Sequence, residues 1–206
     1  MGLAKARPHP TGPETEASGA AQSAPASLGD PDPGARRRAV HALAAAPGNE
    51  AALCRHLRAE PDVSVRETIH LALARLGTVD AASGLAELLG SEDAGLRNSA
   101  LESLVAMPEA ATGLLRRLRE APDPDVRIFG VILAAELPFP WVGGWLAAML
   151  AEEPDANVCA ALTEALAEVG GREAAPALAA LGARFPGEPF LRFAAEAALR
   201  RLPREG

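Results

Sequence analysis

Small and apolar residues recur along this chain at intervals of three and four, in blocks that open on an acidic residue. In the clearest block, Pro61-Asp62-Val63-Ser64-Val65-Arg66 is followed by Ile69, Ala72, Leu73 and Leu76-Gly77. Val65, Ile69, Ala72, Leu73 and Leu76 share one side of an α-helix, so the spacing predicts a helix with a single buried stripe. Asp62 stands where an N-cap carboxylate takes the free amides of the first turn and faces the positive end of the helix dipole. Pro33 and Pro124 directly follow Asp32 and Asp123, at the first helical position, where a missing N–H costs nothing. Gly77 and Gly170 are placed to close helices in the left-handed conformation.

The block repeats. Asp32, Asp62, Asp93, Asp123, Asp155 and Glu188 each stand four positions before an anchor, and the anchors are Arg36, Arg66, Arg97, Arg127, Cys159 and Arg192. Consecutive anchors lie 30, 31, 30, 32 and 33 residues apart. A supersecondary unit recurring at that period predicts a solenoid. A second helix is expected in each unit, with apolar residues five, eight and nine positions before the next acidic cap. Leu57, Cys54 and Leu53 fill these places in one unit, Leu118, Leu115 and Leu114 in another, and Leu150, Ala147 and Leu146 in a third. The expected fold is an all-α, alpha-alpha superhelix of five to six helical hairpins over residues 29–204. Residues 1–28, rich in Pro, Ala and Gly, are expected to form a disordered tail, because so few large apolar groups cannot offset the ordering entropy. A short helix near 17–28 is the alternative there.

Composition sharpens this picture. Aromatic residues make up only 3% of the chain, with no Tyr, against 49% hydrophobic residues. The core must therefore be built from Ala, Leu and Val, which suits closely stacked helices. The net charge of −7 supplies no global field for nucleic acid or an anionic membrane. Two cysteines, Cys54 and Cys159, lie far apart and suggest neither a zinc site nor a disulfide framework. The N-terminal stretch has no continuous apolar run of the secretory type, and no segment approaches 18 apolar residues, so a cytoplasmic protein is expected.

The units at 61–77, 92–107, 122–137 and 154–170 resemble HEAT-like repeats of the kind also found in phycobilisome lyases, and the resemblance extends over about residues 30–202. It implies that the Asp and Arg of each unit form a ladder linking successive repeats, and that the Arg-bearing helices line a concave surface. Cys159 would remove one rung. The resemblance is strong for fold and nearly silent on function, since scaffolds, chaperone-like lyases and a few enzymes share it.

Six copies of the acidic–Arg pair at fixed spacing point to structure rather than catalysis. The outward face of each Arg-bearing helix is more informative: positions one, five and eight after the anchor point away from the buried stripe at 100° per residue. Most are polar or small. The fourth unit presents Ile128 and Ile132, with Phe129 beside them. Exposed, these side chains would form a binding patch; buried, they would belong to a closed stack. Arg37, Arg38 and His41 would then lie at one end of a groove and Glu164 and Glu168 beyond the patch. Such a groove suits an amphipathic partner segment with an acidic end near the first repeat.

Trp141 and Trp145 fall four apart, on a face turned away from Leu146, Ala147 and Leu150, with Pro140 as a helix start. They could wrap over a neighbouring helix or form an interface ridge. The histidines, His9, His41, His56 and His70, show no metal-ligand spacing. His70, on the flank of the stripe, is expected to be partly buried and satisfied. No phosphate loop or nucleophile elbow occurs, so no cofactor, metal or catalytic residue is expected. The function expected is a non-catalytic scaffold, adaptor or assembly factor that binds another protein. One alternative is a chaperone-like bilin lyase subunit, although no residue motif transfers. A further alternative is a base-excision protein on similar repeats. That reading meets an acidic chain whose basic run is confined to Arg36, Arg37 and Arg38, so nucleic acid is disfavoured.

Overall fold

A computed structural model describes residues 28–203. The tail expected over residues 1–28, and the helix considered near 17–28, lie outside them except for Leu28, which is buried in the core. Helices α1 (Pro33–Leu43) and α2 (Glu50–Leu57) form the first hairpin. Helix α3 (Val63–Leu76) pairs with α4 (Val79–Ala86), which runs on into a 3-10 turn at Glu87–Gly90. In the third unit α5 (Ala94–Val105) faces two short helices, α6 (Pro108–Thr112) and α7 (Leu115–Arg119), where the pattern predicts one. Helix α8 (Pro124–Glu136) pairs with α9 (Val142–Glu152), and α10 (Ala156–Val169) with a 3-10 turn at Arg172–Ala174 and α11 (Ala175–Arg184). Helix α12 (Pro189–Arg201) closes the row. Among the described residues there is no strand.

The first helices of successive units pack side by side in the order α1, α3, α5, α8, α10, α12. The second helices form another layer, in which α2 packs on α4, α4 on α6, and α9 on α11. The residues between the layers are those the periodicity marks: Leu53, Leu57, Val65, Ile69, Leu73, Leu114, Leu115, Leu118, Leu146 and Leu150 are all buried. Among the described residues none of the buried apolar side chains is aromatic. A solenoid of paired helices results, stabilised mainly by neighbour-to-neighbour burial of Leu and Ala.

Five of the six acidic residues cap their helices. The Asp32 carboxylate accepts from the amides of Gly34 and Ala35 at 3.0 Å, and Asp62, Asp93, Asp123 and Asp155 take first-turn amides in the same way. Glu188 makes no such bond. Its side chain is one methylene longer, and its backbone, with φ −117° and ψ 78°, departs from the extended conformation of the other caps. Gly77 closes α3 in the left-handed region at φ 60°, as expected. Gly170 does not: at φ −75° and ψ 141° it is extended. Its need for glycine is closeness, because an added Cβ would lie 2.3 Å from the Leu166 carbonyl oxygen.

Candidate functional site

Three of the six anchors, Arg36, Arg66 and Arg127, reach the joint to the next repeat, and they do so in different ways. Arg36 on α1 places Nε and Nη2 on Glu60 Oε2 and Oε1 at 2.8 and 2.7 Å, while Nη1 donates to the Asp30 and Pro31 carbonyls. Arg127 on α8 repeats the arrangement, with Nε and Nη2 on Glu153 at 3.0 and 2.9 Å and Nη1 on the Ala121 and Pro122 carbonyls. The partner is the glutamate two residues before the next cap, not the cap itself. Both glutamates are buried, and each also accepts from the amide of that cap, Asp62 or Asp155. Glu60 takes a further bond from His56 Nε2 at 2.7 Å. Burial pushes the Glu60 carboxyl up, but Arg36, the Asp62 amide and His56 outweigh it and hold it below the usual carboxylate range.

The other rungs differ. Arg66 meets the cap Asp93 at 3.0 Å near the surface, as the resemblance implies. Arg97 donates to the Ser91 carbonyl of its own loop, with no ion pair among the described residues. Cys159 is buried, its Sγ 3.4 Å from the Glu153 carbonyl oxygen. Burial raises its thiol, and that of Cys54, to about 11. Arg184 from α11 fills the vacant place, donating to the Leu150 and Glu153 carbonyls at the end of α9. Arg192 is exposed and lays its stem on Gly182. Sequence reasoning missed Glu60, Glu153 and Arg184. The tripeptide Glu-Pro-Asp, present at 60–62 and 153–155, was a signal for the first two.

On the outward face of the first-helix layer, Leu71, Ile132 and Phe193 are 60%, 39% and 70% exposed. All three occupy positions one or five after an anchor. Ile128 and Phe129 are half-buried against the core, so the expected patch of three is open chiefly at Ile132. Arg37 is half-buried and donates to Ser64 Oγ at 2.6 Å, so it is tied to the next repeat rather than free. Arg38 is exposed, 3.8 Å from Asp32. His41 is exposed and lines a hollow with Ala44, Thr68, Leu71, Ala72 and Arg75.

The tryptophans separate. Helix α9 starts at Val142, two residues later than Pro140 suggests, and Trp141 is its N-cap residue. Trp141 is 45% exposed and stacks on Phe139 with ring centroids 5.7 Å apart. Trp145 is half-buried on the core. Both belong to the second layer, away from the outward face of the first.

A second hollow lies between α3 and α5. Its volume is about 340 Å³, and it is lined by Glu67, His70, Leu71, Ala74, Ser99, Glu102, Ser103 and Ala106. His70 and Ser103 are its buried members, 7% and 6% exposed. His70 Nδ1 lies 3.1 Å from Ser103 Oγ, whereas Nε2 is buried with no partner. The expectation of a satisfied histidine is therefore half met. Burial, helped by Arg66, lowers its pKa to about 4 and keeps the ring neutral.

Among the described residues no cluster of three or more His, Cys, Asp or Glu could hold a metal ion. No described helix is long and apolar enough to cross a membrane. A family model of HEAT repeats matches residues 23–105 and 111–200. No curated protein matches the chain. Among solved structures, the crystal structure of an engineered protein from the Northeast Structural Genomics Consortium is similar over 87% of this chain and 95% of that one. The two are 18% identical, with a TM-score of 0.40.

Proposed function

Because the chain belongs to the HEAT-repeat family, we propose that it is a non-catalytic scaffold holding another protein along the outward face of its first-helix layer. The observation that carries this reading is the row of Leu71, Ile132 and Phe193, large apolar side chains left open at outward positions of three different repeats. The three stand singly on the second, fourth and sixth repeats, as spaced contact points for an extended partner segment rather than one contiguous patch. A helical array presents such positions on a rigid support, so a partner gains contacts without ordering the scaffold. Trp141 is a separate and smaller surface on the other layer. The two free thiols are buried and raised in pKa, which makes them poor nucleophiles and gives no support to a cysteine-based activity.

A photo-crosslinking residue placed at position 71, 132 or 193 should join the chain to one and the same protein in its native cell. The same residue at position 180 on α11 should not. Ile132→Asp should weaken capture about tenfold or more while the melting temperature stays within a few degrees. Equal crosslinking from both layers, or unchanged capture by Ile132→Asp, defeats the proposal.

A further inference from the structure

We infer that the hollow between α3 and α5 receives a basic side chain, an arginine or lysine of the docked protein, with His70 Nε2 and the carboxylates of Glu67 and Glu102 as its acceptors. This rests on the docking reading above and names the chemistry of the partner at one point of that surface.

The hydrogen bonds around Ser103 fix where the protons lie. Ser103 Oγ lies 2.7 Å from the Ser99 carbonyl, which can only accept. The single hydroxyl hydrogen of Ser103 is therefore spent on Ser99. Toward His70, 3.1 Å away, Ser103 Oγ can then only accept, so Nδ1 carries the ring hydrogen. Nε2 is left with a bare lone pair, buried and without a partner. Burial favours the neutral ring, so Nε2 does not become a donor near neutral pH. A buried acceptor without a donor is costly and calls for an explanation. The ligand that answers it brings an N–H or O–H.

The surrounding wall narrows the class of that donor. Glu67 and Glu102 stand on α3 and α5, both exposed, with no ion pair among the described residues. No Lys or Arg lines the wall, and Arg66, whose charge reaches His70, is paired with Asp93. Leu71, Ala74 and Ala106 supply apolar surface for a hydrocarbon stem. An arginine or lysine combines these requirements in one side chain: a long apolar stem and a cationic head with several N–H donors. A neutral hydroxyl or amide would satisfy Nε2 but gain no attraction from the two carboxylates. The same electrostatic sense is given by the whole chain, whose net charge is −7.

The test uses the full chain labelled with nitrogen-15 and titrated with three capped tripeptides, acetyl-Leu-Arg-Leu-amide and its Lys and norleucine counterparts. The Arg and Lys peptides should shift the His70 Nε2 resonance and bind at least fivefold more tightly than the norleucine peptide. In Glu67→Gln/Glu102→Gln, whose changes lie at the surface, that preference should vanish. Equal binding of all three peptides with an unmoved His70 signal overturns the inference. If such equal binding is also abolished by Leu71→Asp, docking on this face survives without its basic anchor. If none of the peptides perturbs any residue of α3 or α5, the inference fails and the docking face loses this segment.

Discussion

The joint between the first and second repeats and the joint between the third and fourth start from the same residue type and end in different surroundings. Arg36 reaches Glu60, whose side chain is fully buried and answered by four N–H donors from three residues. Arg97 reaches only the Ser91 carbonyl in its own loop. The deciding residue lies two places before the following cap. It is Glu60 at the first joint and Glu153 at the joint after Arg127, but Ala121 after Arg97. With a glutamate in that place, anchor, cap amide and loop carbonyls close into one buried cluster. Without it the arginine stays local. Repeats of one family can thus share an outline while differing in how firmly each is tied to the next.

Glu60→Ala or Glu153→Ala should have the largest effect on this contrast. Each strips an arginine whose side chain is 11% or 12% exposed of its counter-charge, a loss of up to about 3–5 kcal/mol, visible as a lower urea midpoint. Glu92→Ala, one place before the third cap and so outside the position that Glu60 and Glu153 hold, should change little. Equal losses at all three positions would erase the distinction between clasped and open joints.

The joint between repeats two and three can be probed with pH. The His70 pKa of about 4 lies below the 6.5 of an unperturbed histidine, so the folded chain binds the proton more weakly than the unfolded chain. The stability contributed is present above pH 6.5 and is lost as the pH falls toward 4, by about 3 kcal/mol in full. The lowered carboxyl of Glu60 adds its own loss at still lower pH. Urea midpoints between pH 7.5 and 4 should fall accordingly, and His70→Gln should flatten the upper part of the slope. A profile unchanged by that substitution would show that His70 does not titrate in this way.

The smallest effects belong to the surface rungs. Arg66 and Asp93 are 25% and 49% exposed, so Arg66→Ala should cost under about 1 kcal/mol. Arg97→Ala should cost no more. A loss at Arg66 comparable to that at Glu60 would mean that burial is not what separates the two joints.

The helices, their caps and their two-layer stacking were legible because they rest on local signals: an Asp four before an anchor, a proline at the first turn, apolar residues three and four apart. The anchors' partners were not. Arg36 and Glu60 are 24 positions apart, and nothing local says that the glutamate rather than Asp62 receives the guanidinium. His70 defeated the periodic reading for a similar reason. Its open nitrogen follows from where the Ser103 hydrogen goes, and that depends on Ser99 one turn back. Among the candidate contact residues, spacing correctly turned Ile132 outward, yet it could not say that Arg37 is held by Ser64 or that Trp145 is half-covered while Trp141 stacks on Phe139.

Arg184 carries a last consequence. It reaches back from α11 to the final carbonyls of α9, where Cys159 supplies no guanidinium. The fifth unit is thus completed by a residue that lies beyond its own first helix. The units are not interchangeable beads, and a shorter version ending after α10 would leave the previous unit's chain end without its donor. Deletion or grafting of modules has to respect that backward reach, cutting after α11 rather than between α10 and α11.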